Sequence, residues 1–280
     1  MFIKNSADMK ISVITVVLND LEGLKKTVNS VLSQRGEDFE YIILDGGSTD
    51  GSWEYIESLN FRGMKKSAPD TGIYNAMNNA VLLANGEYCL FLNAGDTFYD
   101  EQVLQKAGTI IGRSDFYVGH TMEIGKSVIK GWAPNALTLD YLMRTSIYHQ
   151  STFIRRKLLL DYPYNEHHKV VSDWEFFFER WLSGCTYEKL DFFISNYYLG
   201  GFSFVNRDLI AIEREEFLEK LLPKRILDGS YLGKQDCVQE DDNYEQKRIR
   251  KTMSKPAIRR DLNLIRYGFK FLFKDMFKLK

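Results

Sequence analysis

The sequence predicts an α/β fold, a mostly parallel sheet with flanking helices and a helical extension at the C-terminal end. Three stretches carry that expectation. Ile11–Leu18 is β-branched almost throughout, the signature of a strand buried on both faces. Behind the N-cap pair Asn19-Asp20, Leu21, Leu24, Val28, Val31 and Leu32 recur at helical spacing, giving an amphipathic helix that ends near Gln34. Glu87–Leu92 is a short aromatic-rich run that stops at Asn93-Ala94-Gly95-Asp96. Ligands bind open parallel sheets at the C-terminal edge, so this run would deliver Asn93 and Asp96 into a crevice there. Asp96 offers hard oxygen to a divalent cation, although the same residues also make an ordinary turn.

Composition narrows the class. The 280 residues suit one large α/β domain or a domain and a half, and 44% hydrophobic with 27% charged residues describes a globular protein. A formal net charge of -1 gives no global pull toward nucleic acid, and no recognised reader motif is present. Cys89, Cys185 and Cys237 are odd in number and lack metal-type spacing, which argues against a disulfide scaffold or a zinc site and fits a reducing cytoplasm. Met1–Met9 lacks a sustained apolar core, so no secretory signal is expected, and no run reaches the roughly 20 apolar residues of a spanning helix.

The remaining elements follow in order. Phe39–Leu44 reads as a strand running into Asp45-Gly46-Gly47-Ser48-Thr49-Asp50-Gly51, whose polar residues can cap a helix from Ser52 to Leu59. Asp45 is placed to accept hydrogen bonds from a base or ribose, or else belongs to a plain polar turn. Pro69-Asp70-Thr71-Gly72 starts a helix with Ile73, Ala76, Met77, Ala80, Val81 and Ala84 on one face, closed by an Asn85-Gly86 C-cap. Asp70 is a helix cap, a ligand, or both; Tyr74, Asn75 and Asn78 form an uncharged polar face suited to phosphate or sugar. Gln102–Ile111 reads as a helix, 115–119 and 127–132 as strands with a structural His120 between them, Leu137–Arg144 as a helix and Tyr148–Ile154 as a strand. Ser172 and Glu175 suggest a capping box that sets Asp173 in the first turn of a helix packed through Trp174, Phe177, Phe178 and Trp181.

Taken in order, Asp-Gly-Gly-Ser-Thr-Asp-Gly at 45–51, Pro-Asp-Thr-Gly-Ile-Tyr-Asn-Ala-Met-Asn at 69–78 and Phe-Leu-Asn-Ala-Gly-Asp at 91–96 resemble the family 2 glycosyltransferases of the GT-A (Rossmann-like) fold. Within them the chain most resembles the colanic-acid and surface-polysaccharide type. The resemblance covers about residues 9–205, a nucleotide-sugar-binding half at 9–99 and an acceptor half at 100–205, with 206–280 as a helical extension. It implies inverting transfer from a nucleotide-diphospho-sugar, such as a UDP-sugar, to a hydroxyl of a surface-polysaccharide or lipid-linked saccharide, with Mn2+ or Mg2+ as cofactor. By the same resemblance Thr15, Val17 and Asn19 border the nucleotide, Asp45 holds the base, and Asp70 and Asn78 contact the donor. Asn93 stands in place of the first carboxylate of the family's Asp-Ala-Asp-Asp run and Gly95 in place of the third residue. Asp96 keeps the last, the metal ligand, leaving fewer protein carboxylates on the ion. His149 and Gln150 border the acceptor and donor sugar, with Trp174 beside them in the wall. Gly201, in the 197–203 loop, lies near the diphosphate, and Asp173 occupies the position of the catalytic base.

Leu209–Leu222 reads as a charged amphipathic helix. Beyond Lys247 basic residues interleave with aromatics, so 255–280 suggests an interfacial helix beside anionic lipid, at the inner face of the cell membrane. Packing of those aromatics on the domain or on a second copy of the chain is the alternative. Two rival functions are a non-catalytic nucleotide-sugar-binding module and a metal-independent hydrolase using Asp96 and Asp173 as a carboxylate pair.

Overall fold

The computed structural model describes residues 10–36, 38–61, 63–201 and 206–223. One sheet carries the fold. Its strands are β1 (Ile11–Val17), β2 (Phe39–Asp45), β3 (Gly63–Ser67), β4 (Tyr88–Phe91), β5 (Thr97–Phe98), β6 (Phe116–Ile124), β7 (Val128–Gly131), β8 (Thr152–Arg155) and β9 (Tyr187–Tyr198). They run in the order β3-β2-β1-β4-β8-β6-β9-β5, with β7 paired outside that path to β6. The helices are α1 (Leu21–Leu32), α2 (Ser52–Ser58), α3 (Ile73–Leu83), α4 (Val103–Ile110), α5 (Leu139–Arg144), α6 (Arg156–Asp161), α7 (Ser172–Leu182) and α8 (Arg207–Leu221).

β3, β2, β1 and β4 are parallel, as expected, and all of β1 is buried. Beyond β4 the sheet is mixed. β8 runs antiparallel to β4 and β6, β9 runs parallel to β6, and β5 and β7 return antiparallel. Shuffling direction in this half lets the β4 edge face loops from β8 and β9 rather than another crossover helix.

Three local expectations are corrected, and one strand, β3, falls in a stretch for which no element was expected. β3 has no apolar alternation in Gly-Met-Lys-Lys-Ser, because it is a largely exposed edge strand on which lysines discourage further pairing. α3 ends with Ala84 in extended conformation, so Asn85-Gly86 forms no left-handed cap. Gly86 is required for another reason: a Cβ there would lie 2.6 Å from the backbone nitrogen of Ser12. Residues 148–151 are not strand; His149–Ser151 form a 3-10 turn ahead of β8. The capping box is absent, for α7 begins at Ser172 without a side-chain cap, and Glu175 pairs instead with His168 and accepts from Asn165 Nδ2 at 3.1 Å.

A buried polar lock fixes β4 against β1 and β2. Ser12 Oγ donates to Glu40 at 2.6 Å, and the backbone N–H groups of Asn85 and Gly86 donate to Glu40 and Ser12 at 2.5 and 2.9 Å. Each donor would cost about 1–3 kcal/mol if left unpaired at this depth. The lock therefore sets where β4 ends and where Asn93–Asp96 emerge.

The chain divides into two compact units, Met1–Leu137 with Ile147–Phe204, which holds the sheet, and Thr138–Ser146 with Val205–Lys280. Of the second, the described residues include α5 and α8, the latter close to the expected span. The basic amphipathic end at 255–280, and Cys237, lie outside the described residues. Among the described residues no helix is long and apolar enough to cross a membrane.

Candidate active site

The C-terminal ends of β1, β2 and β4 lie side by side: Val17 pairs with Asp45, and the Ala94 N–H donates to the Val16 carbonyl at 3.2 Å. The turns that follow are stitched together. Asn19, at φ 53°, accepts from the Thr49 N–H at 2.8 Å while its own N–H donates to Ser48 Oγ at 2.8 Å. Asp50 accepts from the Leu21 N–H at 2.9 Å, so the two helix starts share one loop cluster.

Asp45 is buried and already accepts from the Gly47 N–H at 3.1 Å, the Ser48 N–H at 3.1 Å and Ser67 Oγ at 2.6 Å. It organises the turn, and any contact with a base is made over these bonds. Asp70 stands beside it. Burial pushes the Asp70 carboxyl up, the Gly72 N–H pulls it down and the Asp45 charge raises it again. A Cβ on Gly46 would lie 2.4 Å from Asp70 Oδ2, so a larger residue there would displace the carboxylate from its place across the turn.

The turn after β4 is held by Thr27, whose hydroxyl donates to the Asp96 carbonyl at 2.7 Å and accepts from the Gly95 N–H at 3.0 Å. Asp96 is 8% exposed and accepts from the Tyr198 N–H at 3.3 Å. Burial pushes its carboxyl up to about 7, with the nearby His149 charge drawing it the other way.

From Asp96 the cluster continues across three segments. Asn93 Nδ2 lies 3.4 Å from His149 Nε2, and His149 Nδ1 lies 3.0 Å from Asp173 Oδ2. The Tyr74 hydroxyl donates to the other oxygen, Asp173 Oδ1, at 2.8 Å. Burial pushes Asp173 up, but the hydrogen bond and charge of His149 and the Tyr74 hydroxyl outweigh it and leave the carboxyl below its ordinary value. His149 shows the mirror image: burial lowers it, while Asp173 and then Asp96 hold it above its ordinary value.

The structure thus brings Asn93, Asp96, His149 and Asp173 together, with Asn19, Asp45 and Asp70 along the same sheet edge. Other expected contacts are corrected. Thr15 is fully buried, its hydroxyl donating to the Leu92 carbonyl at 2.7 Å and lying 3.0 Å from the Tyr41 hydroxyl, and the Val17 side chain is buried too. Both form core because β1 is covered on both faces. The Asn78 amide braces a loop, donating to the Tyr164 carbonyl at 2.9 Å and accepting from the Tyr164 N–H at 2.9 Å. Trp174 is 1% exposed and packs its ring on Phe178, so it is core rather than wall. Gln150 is buried in the 3-10 turn, and Gly201 is exposed after Gly200 at φ 135°. Two participants were not legible as such: Tyr74, read only as part of a polar face, and Thr27, which looked like one more helix residue.

The model of the family described as glycosyl transferase family 2 matches residues 12–172, more than half of the chain. The chain belongs to that family. A PGL/p-HBAD biosynthesis glycosyltransferase of Mycobacterium bovis is 35% identical over 174 residues, covering 59% of this chain and 67% of the relative. An uncharacterized glycosyltransferase of Mycobacterium tuberculosis is 31% identical over 175 residues, covering 59% and 66%. Among solved structures, S. aureus TarS 1-349 in complex with UDP superposes with a TM-score of 0.59 at 18% identity, over 95% of this chain and 89% of that one. The mannosyltransferase PcManGT from Pyrobaculum calidifontis, in complex with GDP-Man and Mn2+, gives 0.60 at 11% identity, over 97% and 88%. This family 2 protein is a glycosyltransferase with the GT-A fold, its sheet mixed as described above.

The donor set in this family 2 chain suits a hard divalent cation. Asp96 is a buried carboxylate whose charge is felt by the imidazole of His149, and among the described residues Asn93 Oδ1 is buried without a hydrogen-bond partner. One carboxylate and one orphaned amide oxygen leave most of a coordination shell to other oxygen ligands.

Proposed function

We propose that this glycosyltransferase inverts the anomeric centre of a nucleotide-diphospho-sugar, a UDP-sugar, and delivers the sugar to a hydroxyl of a surface-polysaccharide or lipid-linked saccharide. One observation carries the reading. Asp173 is fixed through both oxygens, by His149 and Tyr74, at the start of α7 and beside the Asn93–Asp96 turn. A carboxylate held so rigidly is aimed at one acceptor oxygen, which is what general-base catalysis requires.

In this reading Asp173 accepts the hydroxyl proton as the oxygen attacks the anomeric carbon from the face opposite the nucleotide. Its lowered pKa keeps it ionised and ready, at some cost in basicity. His149 and Tyr74 orient it. The turns containing Asn19, Asp45 and Asp70 border the nucleoside. Asp96 and Asn93 would hold Mn2+ or Mg2+, which when bound neutralises the leaving diphosphate.

The geometry favours one variation. Both oxygens of Asp173 already accept a hydrogen bond, while His149 Nε2 has only the long approach of Asn93, so His149 could be the base with Asp173 holding its tautomer. Asp173→Asn and His149→Gln separate the two readings: the substitution at the base costs the larger share of turnover. The test of the reaction itself is NMR of the product released from a panel of UDP-sugars with soluble saccharide acceptors. Inverted anomeric configuration with stoichiometric UDP supports the proposal, and retained configuration contradicts it.

The relatives named as PGL/p-HBAD biosynthesis glycosyltransferases support sugar transfer in a biosynthetic role. Reaction at the cytoplasmic face of the membrane, with the basic end at 255–280 as a peripheral contact, belongs to the same proposal.

A further inference from the structure

The ribbon formed by β6 and β7 projects an apolar and basic surface that the reaction does not use. Val128, Ile129 and Trp132 are 63%, 51% and 58% exposed, far more than aliphatic and indole groups in a core strand. From Ile124 to Trp132 the only charged residues are Lys126 and Lys130. Among the described residues neither lysine has an ion-pair partner; the Lys130 ammonium sits 5.7 Å over the Trp132 ring. The acids around the ribbon are engaged, Glu123 by the Tyr148 hydroxyl and Asp191 by Lys189 at 2.7 Å.

The surface is built rather than ragged. Trp132 packs edge-on against His120, ring centroids 4.7 Å apart, and against Phe193 at 5.5 Å, which in turn stacks on Tyr99 at 5.0 Å. Trp132 therefore stays exposed on a rigid base. These rings are tilted from one another by 31° to 76°, which presents no common plane for a sugar ring, and exposed valine and isoleucine offer a saccharide no hydrogen bonds. An indole under the Lys130 ammonium, on a ribbon that also carries Lys126 and short aliphatics, does match the boundary between lipid headgroups and acyl chains.

We propose that the β6–β7 ribbon is a docking element for an anionic bilayer, its end entering the interface edge-on with Val128 on one face of β7 and Ile129 on the other, Trp132 following at the boundary and Lys126 and Lys130 meeting the headgroups. The proposal rests on the glycosyltransferase reading only in its purpose, which is to bring the site to a lipid-linked acceptor. Its position suits that purpose. Tyr148, next to His149 in the chain, bonds Glu123 and lies against Gly131, where a Cβ would be 3.0 Å from its ring. The ribbon and the His149 wall are thus braced on one tyrosine.

The experiment is flotation of the full chain with vesicles of phosphatidylcholine alone and of phosphatidylcholine mixed with phosphatidylglycerol. The native chain is expected to float with the mixed vesicles only. Lys126→Glu/Lys130→Glu and, separately, Val128→Ser/Ile129→Ser should each lower apparent vesicle affinity at least about tenfold. Protection of each variant by UDP against thermal unfolding reports an intact fold and nucleotide site. In parallel, brominated lipid should quench native tryptophan fluorescence, and Trp132→Phe should remove that quenching. Absence of native flotation, or equal flotation and quenching in all variants, overturns the proposal and assigns any membrane affinity to another part of the chain. Failure of UDP to protect the native chain would count against the donor assignment alone, because the vesicle readings do not depend on it.

Discussion

His149 and Asp173 shift each other's proton affinity in opposite directions, and the sign fixes where their pairing stabilises the fold. Asp173 sits below its ordinary value, so its contribution is present above the usual carboxylate range and is lost as pH falls through the lowered value. His149 sits above its ordinary value, so its contribution is complete below the usual imidazole range and is lost as pH rises through the raised value. Together they stabilise most between about pH 4.5 and 6, given ordinary values near 3.9 and 6.5. The difference in unfolding free energy between the native chain and His149→Gln, from denaturant titrations across pH, should peak in that window, at about 1–3 kcal/mol, and shrink on both sides. A difference independent of pH would mean that the pair is held together by packing alone. Asp173 was singled out by the family resemblance, since its place at a helix start alone reads as an ordinary first-turn acid. Its grip by His149 was not legible, because 24 residues separate the two and only the 3-10 turn before β8 turns the imidazole inward.

At the level of elements, the strands and helices with strong periodicity were readable and the special contacts were not. β1, α1, β2 and α3 announce themselves by burial on one or both faces, whereas β3 is a lysine-bearing edge with no pattern to find. Gly86 shows how a correct residue can carry a mistaken reason. It looked like a helix C-cap, yet its hydrogen atom faces the β1 backbone, 2.6 Å from where a Cβ would meet Ser12 N. Gly86→Ala must push β4 away from β1 and disturb the Glu40–Ser12 lock. The expected loss is about 1–3 kcal/mol, read as a fall of several degrees in melting temperature. An unchanged melting point would show that the strands separate more freely than their hydrogen bonds suggest.

Across the whole molecule, the site is a convergence of loops from distant parts of one sheet, and this convergence was legible only through ordered motifs taken together. The turns after β1 and β2 are cross-linked through Asn19, Ser48 and Asp50, while the turn after β4 meets the 3-10 turn and the start of α7. Motif order pointed to Asp45, Asp96 and Asp173; it overreached at Thr15 and Trp174, whose side chains serve the core, and at Asn78, whose amide braces the Tyr164 loop. If Asp96 completes a cation site, Mn2+ should strengthen UDP protection of the native chain at least about tenfold in apparent affinity, and Asp96→Asn should erase the gain. Equal Mn2+ enhancement in both would place the ion elsewhere.

The most direct measurement compares transfer from a UDP-sugar with UDP affinity in Asp173→Asn. Turnover reduced about a hundredfold to ten-thousandfold with UDP Kd unchanged is the outcome expected of a general base. Turnover near the native rate, or a matching collapse of UDP binding, would contradict the assignment of Asp173 to the chemical step.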